Sequence, residues 1–350
     1  MLYMDVSVEH LLVGSTSLEK YYKESQQKPN TLYGLSISTY ELTHTEASSV
    51  VQLSLATDRL RTGWENWVRH YGANIELDTK FGDKFIRLTN SWLESLSNLA
   101  KQFNNADKYP QYPNYIVVRV NPRFKRGSND TEKWADVMQK ILNTGVVDAL
   151  VLNPVVDSAL KSGAQYVVTS VAPWSNDITL RYPNYEGVLN LLTNLNMLSV
   201  KPFLAFDAKA LQFIADDKIP LTKDTRDGTV AKERHYQDRT TACGFYQAAG
   251  TSSRVDSATL STYFQRLNDT DLFVFDTPQN MASKACMAAQ RHQFQGGYSV
   301  FTTEYAEGEK CDPIKLENGT EIKGKHAIMR YIRTLTTRTF GGADCAQVPV

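Results

Sequence analysis

The sequence predicts an α/β fold built on a parallel sheet. Strand-like and helix-like segments alternate along most of the chain, which is typical of parallel strands joined by helices. One long polar stretch, residues 216–271, interrupts this alternation, which then resumes. Units of this length fit a (β/α)8 TIM barrel with one inserted subdomain, and a doubly wound open sheet is the alternative that the pattern leaves open.

The elements before the interruption follow from local spacing. In the first predicted helix, Leu60, Trp64 and Trp67 recur at helical intervals. Gly72 follows as a stop signal. The predicted elements are, in order, a strand at Thr31–Thr39, a helix at Ala56–Tyr71, a strand at Ala73–Asp78, a helix at Leu88–Phe103, a strand at Tyr115–Val120, a helix at Thr131–Leu142, a strand at Val147–Leu152, a helix at Tyr185–Leu198 and a strand at Pro202–Phe206.

After the interruption, Leu272–Phe275 is a predicted strand, and Thr277 with Pro278 provides a capping hydroxyl and a proline at the first helical position. This helix is expected to end at Gly296-Gly297, before a last strand at Tyr298–Phe301. The predicted domains are a barrel of residues 1–215 and 272–340, an α+β insertion of residues 216–271, and a tail of residues 341–350.

Composition excludes several classes of function. Lysines plus arginines number 38, as do aspartates plus glutamates, so the net charge is zero and nothing favours binding to nucleic acid. No apolar run reaches the roughly 18 residues typical of a membrane span. The six histidines are scattered, and the cysteines lack the C-x-x-C spacing of zinc sites. We therefore expect no metal, no other cofactor and no membrane span.

The cysteines and sequons indicate an extracellular protein. Four cysteines lie in the last third of the chain, an even number that predicts two disulfides with three possible connectivities. N-glycosylation sequons begin at three asparagines. The N-terminal residues nevertheless lack the basic start and long apolar core of a signal peptide. The residues concerned are the cysteines Cys243, Cys286, Cys311 and Cys345 and the sequon asparagines Asn129, Asn268 and Asn318.

The strand predicted to begin at Ala73 carries an unusual polar row. Asn74, Glu76, Asp78 and Lys80 alternate along it, so that all four would share one face. Burying an amide, two carboxylates and an ammonium on one face is costly, so these groups would either serve a function or form a buried ion-pair network. The sequence leaves both open.

This row resembles the fourth barrel strand of the family-18 glycoside hydrolases, the chitinases, whose signature is D-x-x-D-x-D-x-E. With a one-residue gap, Asn74, Glu76 and Asp78 stand at the aspartates, and Lys80 stands at the catalytic glutamate. The resemblance covers most of the chain and lies in the order of the motifs more than in identical residues. Within the family, the chain is similar to chitinase-like secreted proteins of ticks and other arthropods. Its other matching stretches are Leu35–Ser38, Val147–Leu150, Lys201–Leu211, Asp276–Cys311 and Ala327–Leu335.

The resemblance implies that the family chemistry fails in this chain. The family's glutamate protonates the glycosidic oxygen, whereas a lysine ammonium with an ordinary pKa of about 10.4 is a poor acid near neutral pH. Its positive charge also opposes an oxocarbenium-like transition state. Only Asp78 keeps the family residue. The other family positions are occupied by Val155 and Val156 after strand six, by Lys209 and Leu211 in strand seven, and by Phe301 in place of the strand-eight tryptophan.

The resemblance also leaves too few residues before Thr31 for two strands and their helices. Residues 1–13 are expected to supply one strand, and the first strand of the barrel is expected to be missing. The chain would then be an N-terminally shortened product or gene model, which would also explain the missing signal peptide.

These observations favour a non-catalytic, secreted chitinase-like protein that binds a glycan of the chitin or N-acetylglucosamine type, or a protein partner. Asp78, Trp174 and Phe301 are the candidate cleft residues, because ligand sites of barrels lie at the carboxyl ends of the strands. Trp174 would either stack on a sugar or pack inside. One alternative is residual or altered hydrolase activity using Glu76 and Asp78. Another is a growth-factor-like or immune-modulating ligand.

Overall fold

The computed structural model describes two compact units. The first comprises Met1–Pro122, Glu132–Leu152 and Leu195–Pro202, and the second comprises Arg123–Thr131, Asn153–Asn194 and Phe203–Val350. The residues described within them are 2–7, 11, 14–27, 33–38, 54–61, 68–75, 83–104, 114–156, 161–163, 165–175, 180–216, 220–266, 270–301, 314–316, 319–324, 327–337 and 340.

The first unit contains five parallel strands that pair in chain order, β1 to β5. In β4 the exposure alternates, with Ile116, Val118 and Val120 buried. The side-chain carboxylate of Asp148 accepts a hydrogen bond from the Ile116 backbone N–H at 2.7 Å, just before β5. The strands are β1 (Leu2–Ser7), β2 (Tyr33–Ser38), β3 (Val68–Ile75), β4 (Ile116–Val120) and β5 (Ala149–Leu152).

The helices of this unit present apolar stripes to its core. In α3 the side chains of Trp92, Leu96 and Leu99 are buried, and α4 buries Trp134 and Met138, as the helical spacing predicts. Because β1 precedes and pairs with β2, the N-terminal segment does supply a strand. The helices are α1 (Thr16–Gln27), α2 (residues 54–61), α3 (Asp83–Asn104) and α4 (Asp130–Leu142).

The predicted helix at Ala56–Tyr71 is wrong at its C-terminal end. Residues 54–61 are helical, but β3 begins at Val68, five residues before the predicted strand. Pairing of β3 with β2 and β4 supplies this segment with two ladders of backbone hydrogen bonds, which outweigh local helical spacing. Trp64 and Trp67 lie outside the described residues.

The second unit contains a parallel strand pair, β8 with β15, in which Phe301 is in register with Asp207. Helix α5 ends at Thr193, earlier than the predicted Leu198, whose side chain is 94% exposed. Helix α7 begins as predicted: Thr277 caps it and forms a capping box with Asn280. The helices of this unit are α5 (Tyr185–Thr193), α6 (Arg239–Tyr246), α7 (Pro278–His292) and α8 (Ala327–Thr336).

This unit also contains an antiparallel sheet of five strands, in the order β11-β9-β14-β13-β12, and two smaller sheets, β10-β7-β6 and β16-β17. Strand β9 follows β8 after two residues, and β14 pairs with β9 and β13. The sheet therefore extends past both predicted limits of the insertion, 216 and 271, since β9 and β14 complete their hydrogen bonding within it. The strands β6 to β17, within this sheet and outside it, are β6 (Lys161–Ser162), β7 (Gln165–Val167), β8 (Lys201–Asp207), β9 (Ala210–Ile214), β10 (Val230–Ala231), β11 (Glu233–Gln237), β12 (Ser252–Val255), β13 (Thr262–Gln265), β14 (Leu272–Phe275), β15 (Gly297–Phe301), β16 (Ile314–Lys315) and β17 (Glu321–Ile322).

Close packing of α5 predicts the effect of one substitution. A Cβ atom on Gly187 would lie 2.3 Å from Cδ2 of the buried Phe124 ring. We expect Gly187→Ala to lower the free energy of unfolding by about 1–3 kcal/mol through overpacking, measured by urea denaturation. In α6, Gly244 has no neighbour within 4 Å of such a Cβ. Gly244→Ala should therefore stabilise the protein by about 0.5–1 kcal/mol. Equal effects of the two substitutions would contradict this packing.

Candidate functional site

The carboxyl ends of β8 and β15 bring charged groups together inside the second unit. Burial increases along β8, so that its last four residues, ending at Asp207, are buried. The chain then passes through Ala208 and Lys209 into β9. The backbone N–H of Ala208 donates to the Phe301 carbonyl at 3.3 Å, which joins the two strand ends.

Asp207 and Lys209 form a buried ion pair at this strand end. The Lys209 backbone N–H donates to Oδ1 of Asp207 at 2.9 Å, and Lys209 Nζ lies 2.9 Å from Oδ2. The two side chains are 0% and 4% exposed. The carboxylate is therefore held by its own neighbour in the chain and does not reach the surface.

The Tyr236 ring contacts the Lys209 side of this ion pair. It is one of the exposed large side chains, at 40% exposure. Lys209 Nζ lies 4.6 Å from the ring centroid and Arg234 Cζ lies 4.8 Å from it. Arg234 also donates to the Tyr236 hydroxyl at 3.2 Å and to the Val156 carbonyl at 3.2 Å. Because Arg234 and Tyr236 lie two residues apart in β11, they share one face of the strand, and the cations fix an aromatic ring at the surface.

Arg239, the first residue of α6, adds a second buried cation. Its guanidinium is 5.4 Å from the Phe275 ring centroid. Burial lowers the pKa of Arg239 to about 10, an effect that the carboxylates of Asp276 and Asp207 oppose. Arg239 thus remains charged at neutral pH and interacts with both buried carboxylates.

Lys284 and Asp276 form a second buried ion pair, with both side chains 0% exposed. Lys284 Nζ donates to both Asp276 oxygens at 2.7 Å, to the Ala172 carbonyl at 2.6 Å and to the Ser261 hydroxyl at 3.1 Å. Ser261 in turn donates to Asp276 at 2.6 Å. Burial lowers the pKa of Lys284, and the Asp276 carboxylate opposes this. The network ties α7 to the antiparallel sheet.

Aromatic side chains pack beside this network. Tyr185 donates to the Ala205 carbonyl at 2.7 Å, and its ring centroid lies 5.6 Å from Lys284 Nζ. Burial raises the pKa of Tyr185 above its ordinary value, and the Asp276 carboxylate adds to this. Trp174 stacks on Tyr185, with ring centroids 6.0 Å apart, and also contacts the His292 ring.

No family model matches this sequence, and no curated protein matches it either. Solved structures do. A chitinase-like agglutinin from Robinia pseudoacacia is 12% identical with a TM-score of 0.64, over 95% of this chain and 93% of that chain. A family GH18 chitinase from Cycas revoluta, in a complex with allosamidin, is 11% identical with a TM-score of 0.62, over 97% and 92%. A Group IV chitinase from Ostrinia furnacalis is 12% identical with a TM-score of 0.60, over 96% and 90%.

The chain has the chitinase fold of the family-18 glycoside hydrolases. This confirms the predicted α/β barrel and excludes the doubly wound sheet. At these identities the likeness concerns the fold alone, so the chemistry has to be argued from the residues of this chain.

The residues at which the family signature was predicted lie mostly outside the described part of the chain. Asn74 is in β3, in register with Ser38 and Arg119. Glu76, Asp78 and Lys80 are not among the described residues. The predicted loss of the catalytic glutamate therefore stays a prediction.

The other predicted positions are described. Trp174 is 5% exposed and stacked on Tyr185, and its role as a cleft residue stays a prediction. Phe301 is half-buried at the end of β15. Val155 and Val156, the residues predicted to replace the tyrosine and aspartate of the chitinase fold, are both buried, as is Leu211.

Only some of the residues predicted to form disulfides or to carry glycans are among the described residues. Cys243 and Cys286 are each disulfide-bonded, while Cys311 and Cys345 lie outside the described residues, so the connectivity stays a prediction. Asn129 is exposed in the turn before α4. Asn268 and Asn318 are not described.

Within the described ranges, no group of three or more His, Cys, Asp or Glu residues is placed to hold a metal ion. No helix in those ranges is both long and apolar enough to cross a membrane.

Sequence reasoning missed Tyr236, Arg234, Asp207 and Arg239. The first two carried one detectable signal, an arginine and a tyrosine spaced two apart in a strand of the insertion. The Asp207–Lys209 spacing at a strand end was a second signal. Together these residues place buried charged groups next to an exposed aromatic ring.

Proposed function

We propose that the protein is a non-catalytic, secreted glycan-binding member of the chitinase fold, and that the Tyr236 ring is its sugar-stacking surface. The observation that carries this proposal is the exposed Tyr236 ring held against Lys209 of the buried Asp207–Lys209 ion pair. Lys209 and Arg234 lie over the ring and hold it in place, and the exposed part of Tyr236 offers a sugar a rigid aromatic surface. Sugar rings, with apolar faces and hydroxyl edges, match such a surface.

Several features favour binding without catalysis. A general acid must come within hydrogen-bonding distance of the glycosidic oxygen. Asp207 and Asp276 are fully buried and ion-paired, so neither can contact a substrate. Lys80, at the position of the family's glutamate, adds to this argument. The solved structures with this fold include a protein described as a chitinase-like agglutinin.

The chemistry of the proposed ligand follows from the fold and the ring together. Solved neighbours from Cycas revoluta and Ostrinia furnacalis are described in complexes with N-acetylglucosamine oligomers. An oligosaccharide of this kind is our proposed ligand class, and a glycan carried by a protein partner would present the same sugar faces.

Replacing Tyr236 by alanine tests this proposal. We expect Tyr236→Ala to weaken binding of N-acetylchitohexaose at least tenfold, or about 1.4 kcal/mol, in isothermal titration calorimetry. Tyr236→Phe keeps the ring and should retain most of the affinity. Leu198→Ala, at a second exposed apolar residue, is the matched control and should bind like the wild type. Unchanged affinity of Tyr236→Ala would refute the assignment of this ring.

A further inference from the structure

A cavity of about 200 Å³ lies between helices α2 and α3 of the first unit, and the proposed function does not use it. Five of its seven lining residues carry a hydroxyl or a carboxylate. Helices that pack side by side generally bury apolar side chains between them, so a polar lining at this place needs another explanation. The lining residues are Ser54, Thr57 and Asp58 of α2 and Leu88, Ser91, Trp92 and Ser95 of α3.

The sequence spacing places these residues on facing sides of the two helices. The four residues of α3 occupy positions i, i+3, i+4 and i+7, which share one helical face, and the three residues of α2 occupy positions i, i+3 and i+4. An apolar stripe has the same spacing. Here Ser91 and Ser95 interrupt the stripe of α3, and hydroxyl and carboxylate groups of α2 line the opposite wall.

Trp92 is the buried member of this lining. It is 2% exposed, and its indole N–H has no hydrogen-bond acceptor among the residues that the structure describes. An indole nitrogen can only donate, and a buried donor without an acceptor costs free energy. An acceptor atom of a molecule held in the cavity would remove this cost.

The polar groups around the indole define the chemistry that fits. Asp58 presents a carboxylate, which accepts hydrogen bonds and repels anions. The Ser95 hydroxyl donates to the Ser91 carbonyl at 3.0 Å, so its oxygen is left to accept. A ligand hydroxyl both donates and accepts, and it therefore suits Asp58, Ser95 and Trp92 alike. An ammonium group can only donate and does not serve the indole N–H.

The size of the cavity limits the ligand to one small ring. Sites for drug-sized ligands have volumes of about 300–1,000 Å³, and this cavity is smaller. Leu88 and the Trp92 indole supply the apolar part of the wall. A sugar ring combines an apolar face with hydroxyls at its edge, which matches both parts of this lining.

We propose that this cavity binds one neutral sugar ring, in which one oxygen accepts from the Trp92 indole N–H and one hydroxyl donates to Asp58. The ring is either a free monosaccharide or the terminal sugar of a glycan. The cavity belongs to the first unit and Tyr236 belongs to the second, so this proposal does not rest on the proposed function.

NMR signals of the indole N–H groups test this contact directly. The chain has five tryptophans, and isotopic labelling of their indole nitrogens gives one signal for each. Trp92→Phe assigns the Trp92 signal by removing it. We expect glucose and N-acetylglucosamine to shift this signal saturably, with a dissociation constant on the order of 1 mM, as suits so small a ligand. The signal of Trp134, a buried tryptophan of the same unit, should stay in place.

Two charged probes test the ligand class. Glucuronate should bind about fivefold more weakly than glucose, because Asp58 repels its carboxylate. Asp58→Asn should abolish this difference. The cyclohexylammonium ion has a ring and a positive charge but no acceptor, and it should not shift the Trp92 signal.

A matched pair of variants tests the location. Ser91→Leu fills the cavity, keeps the Trp92 indole and should weaken binding of both neutral sugars at least tenfold. Asn98→Leu places the same side chain at an exposed position of α3 outside the lining and should bind like the wild type. Unfolding curves of both variants check that the fold is retained.

A Trp92 signal that stays in place with both neutral sugars would overturn the proposal, as would equal weakening by the two leucine variants. Equal shifts of all five indole signals would indicate a solvent effect and would also overturn it. Tighter binding of glucuronate or cyclohexylammonium would refute the neutral ligand class. A Trp92 shift that is lost in Tyr236→Ala would place the sugar at the Tyr236 surface instead, whereas a shift that persists there supports a separate site.

Discussion

Lys284→Met lowers the free energy of unfolding by about 3–5 kcal/mol, because it leaves the Asp276 carboxylate buried without the cation that compensates it. Lys284 supplies hydrogen bonds to Asp276, Ser261 and the Ala172 carbonyl, all inside the second unit. The methionine matches the length of the lysine stem, so loss of packing contributes little. Urea denaturation followed by tryptophan fluorescence measures the effect.

Two controls separate the charge from the packing. The double variant Asp276→Leu/Lys284→Met removes both charges and should be far more stable than the sum of the single effects predicts. Lys140→Ala breaks an exposed ion pair with Asp136 on α4 and should change stability by less than about 1 kcal/mol. A loss of stability in Lys284→Met no larger than that of Lys140→Ala would contradict the role of the buried network.

Lys209→Met affects both stability and binding. Loss of the Lys209 ammonium leaves the Asp207 carboxylate buried without its cation and should lower the free energy of unfolding by about 3 kcal/mol. It also removes one of the two cations that hold the Tyr236 ring, a contribution of about 0.5–1 kcal/mol. We therefore expect glycan affinity to fall by about two- to fivefold in calorimetric titrations at a temperature where the variant is folded.

Comparison with Lys284→Met makes this second prediction specific. Both substitutions remove a buried lysine, but Lys284 does not contact the Tyr236 ring, so its replacement should spare glycan affinity in the folded protein. Equal affinities of the two variants would show that Lys209 does not support the binding surface.

Elements with local signals could be predicted from the sequence. The start of α7 follows from the Thr277 hydroxyl, which caps the helix, and from Pro278, which suits the first turn. The apolar stripe of α4 follows from the spacing of Trp134, Met138 and Ile141. These features depend on residues within one or two turns of each other.

Features that depend on distant pairing could not be predicted in the same way. Leu272–Phe275 has the same apolar pattern in a parallel or an antiparallel sheet, and only its pairing with β9 and β13 decides between them. Tyr71 fits a helical stripe by spacing, yet it lies in β3 because two neighbouring strands supply its backbone hydrogen bonds.

The candidate site could be predicted even less well, because its residues are brought together only by the tertiary structure. Tyr236 becomes a candidate binding residue because its ring stays exposed above Lys209, a contact between residues 27 positions apart. Trp174 was a plausible sugar-stacking residue by sequence, but it is buried against Tyr185. Exposure of an aromatic ring is a property of the folded chain and has no local sequence signal.

The most direct test of a binding protein without catalysis is a single incubation in which binding and product formation are both followed. Protein at several concentrations is mixed with N-acetylchitohexaose, bound sugar is measured at equilibrium, and the sugars are then separated by length. We predict saturable binding with all of the hexamer recovered intact. Shorter oligosaccharides that increase with protein concentration, and that disappear in Asp78→Ala, would show a hydrolase and contradict this account.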